Sequence, residues 1–197
     1  MSGKGEHYSL LDADDCVLVV IDVQDAFLSR LSRQDSEWLL NTVRWLIVVA
    51  QWIEIPLVVT AEEMCKQPLA AGLADTLAGE TPVFDKVSFD LTQQPDILAA
   101  VRQTGRQTAI LVGMETDVCV MQSAIGLLEQ GYRVVVVGDA TNTSSLGQEV
   151  SWSRMQSAGV IMVNAKGLFY EWLRDVEMVN RLHRELPDIR GLSGGIL

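Results

Sequence analysis

Histidine is nearly missing from this chain. Only two of its 197 residues are histidine, His7 and His183, one near each end. A Ser-His-Asp triad, a two-histidine zinc site or a histidine cluster for another metal is hard to assemble from that stock. Cysteine is almost as scarce. Cys16, Cys65 and Cys119 are odd in number, widely separated and free of any CxxC pair. That pattern excludes a disulfide framework and a zinc ribbon, and it fits a reduced, cytoplasmic compartment. Basic residues are in deficit, with 15 against 26 acidic ones, a formal net charge of −11 and a pI near 4.5. Such a surface repels phosphate backbones and anionic lipid heads, so no nucleic acid and no membrane is expected as a partner. Long apolar runs are lacking too. The best candidate, Trp38 to Ile55, is broken by Asn41, Arg44, Gln51 and Glu54 and reads as a buried helix. The opening MSGKGEHYSLLDADD has no apolar signal core, so no secretion is expected.

What remains is a globular chain: 48% of its residues are hydrophobic and its mean hydropathy is +0.19, which excludes a disordered or fibrous protein. Short β-branched runs alternate with longer helix-period stretches. The runs are Cys16–Asp22, Pro56–Thr60, Val83–Lys86, Thr108–Gly113, Tyr132–Gly138 and Val160–Val163. Between them lie helical segments over Ser36–Glu54, Pro95–Thr104, Val118–Gln130, Gly147–Ser157 and Tyr170–Leu186. Gly105, Gly131 and Gly159 each follow a helical run, where a left-handed cap belongs. Strand–helix–strand repetition over this length predicts an α/β fold, a parallel sheet with helices on both faces. One domain is expected over residues 14–186, with an N-terminal arm at 1–13 and a C-terminal tail at 187–197. Trp38, Trp45 and Trp52 are seven apart and form one stripe along a two-sided helix, suited to the domain core or to a subunit interface.

In such a sheet the carboxyl ends of all strands share one edge, and ligands bind there. Asp22 ends the first strand, Lys86 the third and Asp139 the fifth, while Cys119 lies in the turn leaving the fourth. Topology thereby gathers a carboxylate, an ammonium and a thiol on one rim. Cys119 opens an apolar-periodic helix with Thr116 and Asp117 as candidate caps. Helix-end amides and a nearby Lys86 would lower its pKa and favour the thiolate. Asp22 would exchange the thiol proton with a leaving group. Each residue also has a plainer reading. Cys119 can be a small core residue, Asp22 a backbone brace, Lys86 a solvated rim charge and Asp139 a turn former. Cys16 and Cys65 read as structural.

Three blocks, VVIDVQDAF (Val19–Phe27), FDKVSF (Phe84–Phe89) and VGMETDVCV (Val112–Val120), resemble the isochorismatase-like cysteine hydrolase superfamily in order and spacing. The resemblance spans about residues 14–175. It implies a Rossmann-like three-layer αβα sandwich with a six-stranded parallel sheet, and a catalytic triad at Asp22, Lys86 and Cys119. It also implies a cis peptide from Met114 to Glu115 and an oxyanion hole from the backbone N–H groups of Glu115 and Cys119. Thiol-using members cleave small amides or esters through a thioester. Isochorismatases instead cleave a vinyl ether, with the aspartate as proton donor. A non-catalytic oligomeric small-molecule binder is the third reading.

The chain departs from the nicotinamidases of that family, which hold a metal through histidines after the second strand. Thr60–Gly72 has no histidine; Glu62 and Glu63 there could hold a hard cation weakly, and the plainer reading is a solvated acidic loop. The resemblance is therefore to the metal-free, uncharacterised branch, with no cofactor, no metal, a small-molecule substrate and a homo-oligomeric assembly implied. Phe27, Phe89 and Trp152 flank the motif blocks and are the candidates for an apolar pocket wall. Specificity is expected to reside in loops 28–35 and 61–82.

Overall fold

The computed structural model describes residues 9–63, 67–79 and 81–192; Cys65 and His7 lie outside them. Six strands are formed: β1 (Cys16–Ile21), β2 (Leu57–Glu62), β3 (Val83–Lys86), β4 (Thr108–Met114), β5 (Arg133–Asn142) and β6 (Ile161–Val163). Every pairing is parallel, and the order across the sheet is β3-β2-β1-β4-β5-β6. The helices are α1 (Asp25–Leu28), α2 (Arg33–Trp52), α3 (Ala71–Ala74), α4 (Pro95–Gln103), α5 (Met121–Glu129), α6 (Gln148–Ala158), α7 (Ala165–Leu173), α8 (Val176–Glu185) and α9 (Ile189–Leu192).

Alternation along each strand builds two cores. Side chains two residues apart share a face. Leu18 and Val20 of β1, with Ile110 and Val112 of β4, pack against α2, α7, α8 and α9. Val17, Val19 and Ile21, with Ala109 and Leu111, pack against α4, α5 and α6. Strands covered on both faces must be apolar throughout, and all six residues of β1 are buried. The result is a three-layer αβα sandwich with a six-stranded parallel sheet.

The tryptophan stripe of α2 runs from the core to the surface, with Trp45 buried and Trp38 exposed. Trp45 is fully buried and its ring lies 5.0 Å from that of Phe169. Trp38 donates to the Asp139 carbonyl and Trp52 to the Glu185 carboxylate. Gly105, Gly131 and Gly159 have φ of 71°, 88° and 104°, as helix-ending residues require.

Most element ends shift by a few residues from the sequence expectation, and three differences go further. The single helix expected over Tyr170–Leu186 is two, because Arg174 takes a left-handed φ of 67° and Asp175 caps α8 by accepting from the Met178 amide. The arm and tail also pack on the domain. Leu11 is buried and its amide donates to Glu171, and Ile189 is buried against the α2 side of the core. Apolar side chains too widely spaced to form a periodic run carry both contacts.

Candidate active site

The strand order reverses beside β1, with β2 on one flank and β4 on the other, so the crevice at their carboxyl ends is the topological switch point. The chain leaving β1 is Asp22, whose φ of +50° is unusual for a non-glycine residue but accessible to aspartate. Its amide donates to the Thr60 carbonyl at the end of β2. Opposite Ile21 on β4 stands Gly113, with φ +118°. A Cβ there would lie 2.0 Å from the Ile21 carbonyl oxygen, so only glycine lets the two strands close at this point. The β4–β5 register slips beyond Leu111. β5 bows away, and the Asp139 carboxylate on it accepts from the Ala165 amide at 2.7 Å. Asp139 thus anchors α7 and does not reach the rim chemistry.

Past Gly113 the Met114–Glu115 peptide is cis, and Thr116–Val120 form a single wide helical turn ahead of α5. Wide turns of this kind recur at functional sites. Cys119 is in that turn. The expected side-chain caps are absent: Glu115 occupies the cap position without a capping side-chain bond. Asp117 instead accepts from the Thr143 and Ser145 hydroxyls, fastening the 143–145 segment. Burial of Asp117 is outweighed by these bonds, which hold its pKa below the usual carboxylate value.

Asp22, Lys86 and Cys119 meet. The Lys86 ammonium is fully buried; it is ion-paired with Asp22 Oδ2 at 2.9 Å and donates to the Ser88 carbonyl at 2.9 Å and to Cys119 Sγ at 3.3 Å. Thr60 Oγ1 donates to Asp22 Oδ1 at 2.7 Å. Lys86 is no solvated rim charge.

Burial raises the Asp22 pKa, and the charge and hydrogen bonds of Lys86 and Thr60 only partly offset it. Burial pulls Lys86 the other way, but its attraction to Asp22 and Cys119 prevails and holds the ammonium above the usual lysine range. The partners are therefore shifted unequally: the lysine stays charged, and the aspartate binds a proton more tightly than a surface carboxylate. Cys119 corrects the sequence expectation. Burial and the neighbouring Asp22 push its thiol up to about 12, overriding Lys86. Burial thus favours the protonated thiol over the thiolate.

Cys119 forms part of the wall of a cavity of about 390 Å³ with Ala26, Phe27, Arg30, Glu62, Phe89, Glu115 and Val118. Phe27 and Phe89 both line this cavity. Trp152 does not. It is on α6, packed against the second core with its ring 3.7 Å from the position a Cβ on Gly138 would take. Phe89 is half exposed at the cavity, and α5 holds its loop: Ser123 Oγ donates to the Phe89 carbonyl and accepts from the Leu91 amide.

Sequence reasoning missed four contributors. Thr60 was visible only as the polar end of an apolar run. Gln24, inside the Asp-x-Gln block, is fully buried. Its side chain accepts from the Glu62 amide and donates to the Glu62 and Gln67 carbonyls, bracing the second-strand loop against β1. Glu62 itself is buried, not solvated, because β2 extends through it. Arg30, in the variable 28–35 loop, offered no periodic signal. Among the described residues no group of three His, Cys, Asp or Glu side chains is placed to hold a metal ion.

A parallel αβα sheet brings a buried carboxylate, ammonium and thiol together at its switch point, and the isochorismatase domain model matches residues 16–166. The chain belongs to that family. The YcaC gene product of Escherichia coli, an octameric hydrolase of unknown specificity, is similar to it at 27% identity and a TM-score of 0.81, covering 95% of this chain and 96% of that one. YcaC from Pseudomonas aeruginosa, solved with hexane-2,5-diol and covalent acrylamide, is 26% identical with a TM-score of 0.79, covering 94% and 96%. The MAR1 ribonuclease from Caenorhabditis elegans is 27% identical with a TM-score of 0.80, covering 93% and 92%.

Proposed function

We propose that this hydrolase cleaves the C–N or C–O bond of a small amide or ester through Cys119, with Asp22 as proton carrier and Lys86 as the fixed cation between them. The observation that carries the reading is the contact set of one buried ammonium, 2.9 Å from a carboxylate and 3.3 Å from a thiol that opens onto the cavity. Asp22, made more basic by burial, takes the Cys119 proton as sulfur attacks the substrate carbonyl. The new S–C bond pushes charge onto the carbonyl oxygen, for which the Glu115 and Cys119 amides are the proposed donors. Collapse breaks the C–N or C–O bond, and Asp22 returns its proton to the leaving amine or alcohol. Water then attacks the thioester, losing a proton to Asp22, and the acid leaves as sulfur is reprotonated. No cofactor or metal enters this scheme. Covalent acrylamide on the P. aeruginosa relative fits a reactive nucleophile in that protein.

The raised pKa of Asp22 also favours a second reading. A carboxyl that retains its proton can act as the acid of vinyl-ether cleavage, with Cys119 secondary. A homo-oligomer is part of the proposal, supported by the octameric E. coli relative. A cytoplasmic setting is supported by Cys16 and Cys119 being free. The net charge of −11 opposes RNA as a substrate.

A hydrolysis screen over amides, hydroxamates, esters, vinyl ethers and RNA, run on wild type and Cys119→Ala together, tests the scheme. Amide or ester turnover that disappears in Cys119→Ala is expected. Turnover unchanged by the substitution removes the thiol mechanism and leaves the vinyl-ether reading.

A further inference from the structure

Of the eight residues lining the catalytic cavity, one is a cation. Arg30 follows the short helix α1, its amide bonded to the Phe27 carbonyl, and its guanidinium lies 5.1 Å from the centroid of the Phe27 ring. A cation held over a ring face by this attraction uses its charge there and leaves its N–H donors for hydrogen bonding. Its nearest acidic partner is Glu115 Oε2, at 3.8 Å, beyond hydrogen-bond distance. The other Glu115 oxygen already accepts from Ser144 at 2.9 Å. Among the described residues, no protein acceptor takes a hydrogen bond from the Arg30 side chain. The arginine is therefore oriented by an aromatic face and a distant carboxylate, while its planar donor fork is unspent. Glu115 is also the residue whose amide is the proposed oxyanion-hole donor, so the fork stands one glutamate side chain plus 3.8 Å from that amide.

We infer that Arg30 is a specificity residue that binds a carboxylate on the non-reacting end of the substrate. The substrate class is then a small molecule with an apolar body between Phe27 and Phe89, a scissile amide or ester facing Cys119, and an acid group at the cavity mouth. The inference rests on the proposed function only in taking this cavity as the substrate's. Three charges argue against an anion, those of the protein as a whole and of the cavity carboxylates Glu62 and Glu115, and none decides the matter. The protein's overall charge is screened beyond about 8 Å at physiological salt. Glu115 competes for Arg30 only across a non-bonded gap. A substrate carboxylate would meet the fork in bidentate geometry, which Glu115 does not.

Equilibrium binding to Cys119→Ala separates this inference from the thiol mechanism, because no chemistry is required. The probes are three acid–amide pairs of matched shape: acetate and acetamide, butyrate and butyramide, benzoate and benzamide. The guanidinium is half exposed, with 52% side-chain accessibility, so an acid preference of about tenfold is expected for at least one pair, shrinking with added salt. Arg30→Gln should bring that ratio to about one while leaving amide binding within about twofold, and Arg30→Lys should retain part of it. The inference is overturned if no acid binds better than its amide, or if the preference survives in Arg30→Gln. Equal weakening of acid and amide in Arg30→Gln also overturns it, since Arg30 then only shapes the wall.

Discussion

Asp22→Asn and Lys86→Met should move the reactivity of Cys119 in opposite directions while both abolish turnover. In the native site the thiol is pushed up to about 12 by burial and by Asp22, and Lys86 opposes them. At pH 8 such a group is about one part in ten thousand thiolate, against about one in ten for an unperturbed cysteine. Removing the Asp22 charge leaves the ammonium alone beside sulfur. A fall of about one to two in pKa then raises the thiolate fraction about 10- to 100-fold. A less basic thiolate is a weaker nucleophile, which roughly halves the gain on a logarithmic scale, so alkylation should quicken about 3- to 10-fold. Lys86→Met removes the one group favouring the thiolate and should slow alkylation further. Both variants break a buried ion pair, a change that costs about 3–5 kcal/mol, so each needs a thermal melt first. Iodoacetamide labelling at pH 8, followed by peptide mass, reads the rates. Cys16, fully buried and raised to about 11, is the internal control whose labelling would report unfolding. Slower labelling in Asp22→Asn, or the same direction of change in both folded variants, would refute the electrostatic account of the triad.

Three further outcomes are expected. Gly113→Ala should destabilise the fold by about 2–5 kcal/mol, the sum of an unfavourable positive φ and a Cβ pressed on the Ile21 carbonyl; a melting temperature within a few degrees of wild type would mean the strands part freely. Cys16 and Cys119 both bind their protons more tightly folded than unfolded. Their stabilisation is therefore complete below pH 9, the unfolded thiol value, and falls as pH rises from there toward 11–12, by about 2 kcal/mol for each thiol and about 4 together at pH 10.5. Urea midpoints across that range check this, and Cys119→Ala should flatten part of the slope. Dialysis against a chelator should leave turnover unchanged, as no three-ligand acidic or thiol cluster exists among the described residues; a loss reversed by zinc, iron or manganese would overturn that.

The layered sheet was legible because its signals are local and redundant. An apolar run such as Cys16–Ile21 can only be covered on both faces, and a glycine such as Gly159 marks a left-handed stop whatever surrounds it. The break at Arg174 was not legible, because a left-handed arginine is set by its neighbour Asp175, which caps α8. Trp152 failed for the opposite reason. Its place on the helical stretch after the fifth strand says nothing about which side of α6 faces the cavity, and its ring turned toward Gly138 and the second core. Thr60 and Gln24 needed the third dimension. Their partners, Asp22, Glu62 and Gln67, are fixed by strand register across the sheet, not by spacing along the chain.

The thiol pKa shows where reading along the chain gives out. From sequence, Cys119 has a helix start and a lysine in its favour, both real and both lowering. The opposing effects depend on depth. A helix end or a lysine at a solvated rim leaves the thiolate hydrated, whereas here the ammonium has no exposed surface and sulfur almost none. Desolvation then outweighs the attraction, and the carboxylate that would accept the proton is itself a charge the thiolate must face. Within the proposed scheme this is not a defect. A buried anion held at rest would be costly and open to oxidation; a neutral thiol beside a basic carboxylate waits until a carbonyl arrives to receive the sulfur. Lys86 makes the trio neutral overall and lies beside both places the negative charge occupies as the proton moves, 2.9 Å from Asp22 Oδ2 and 3.3 Å from Cys119 Sγ.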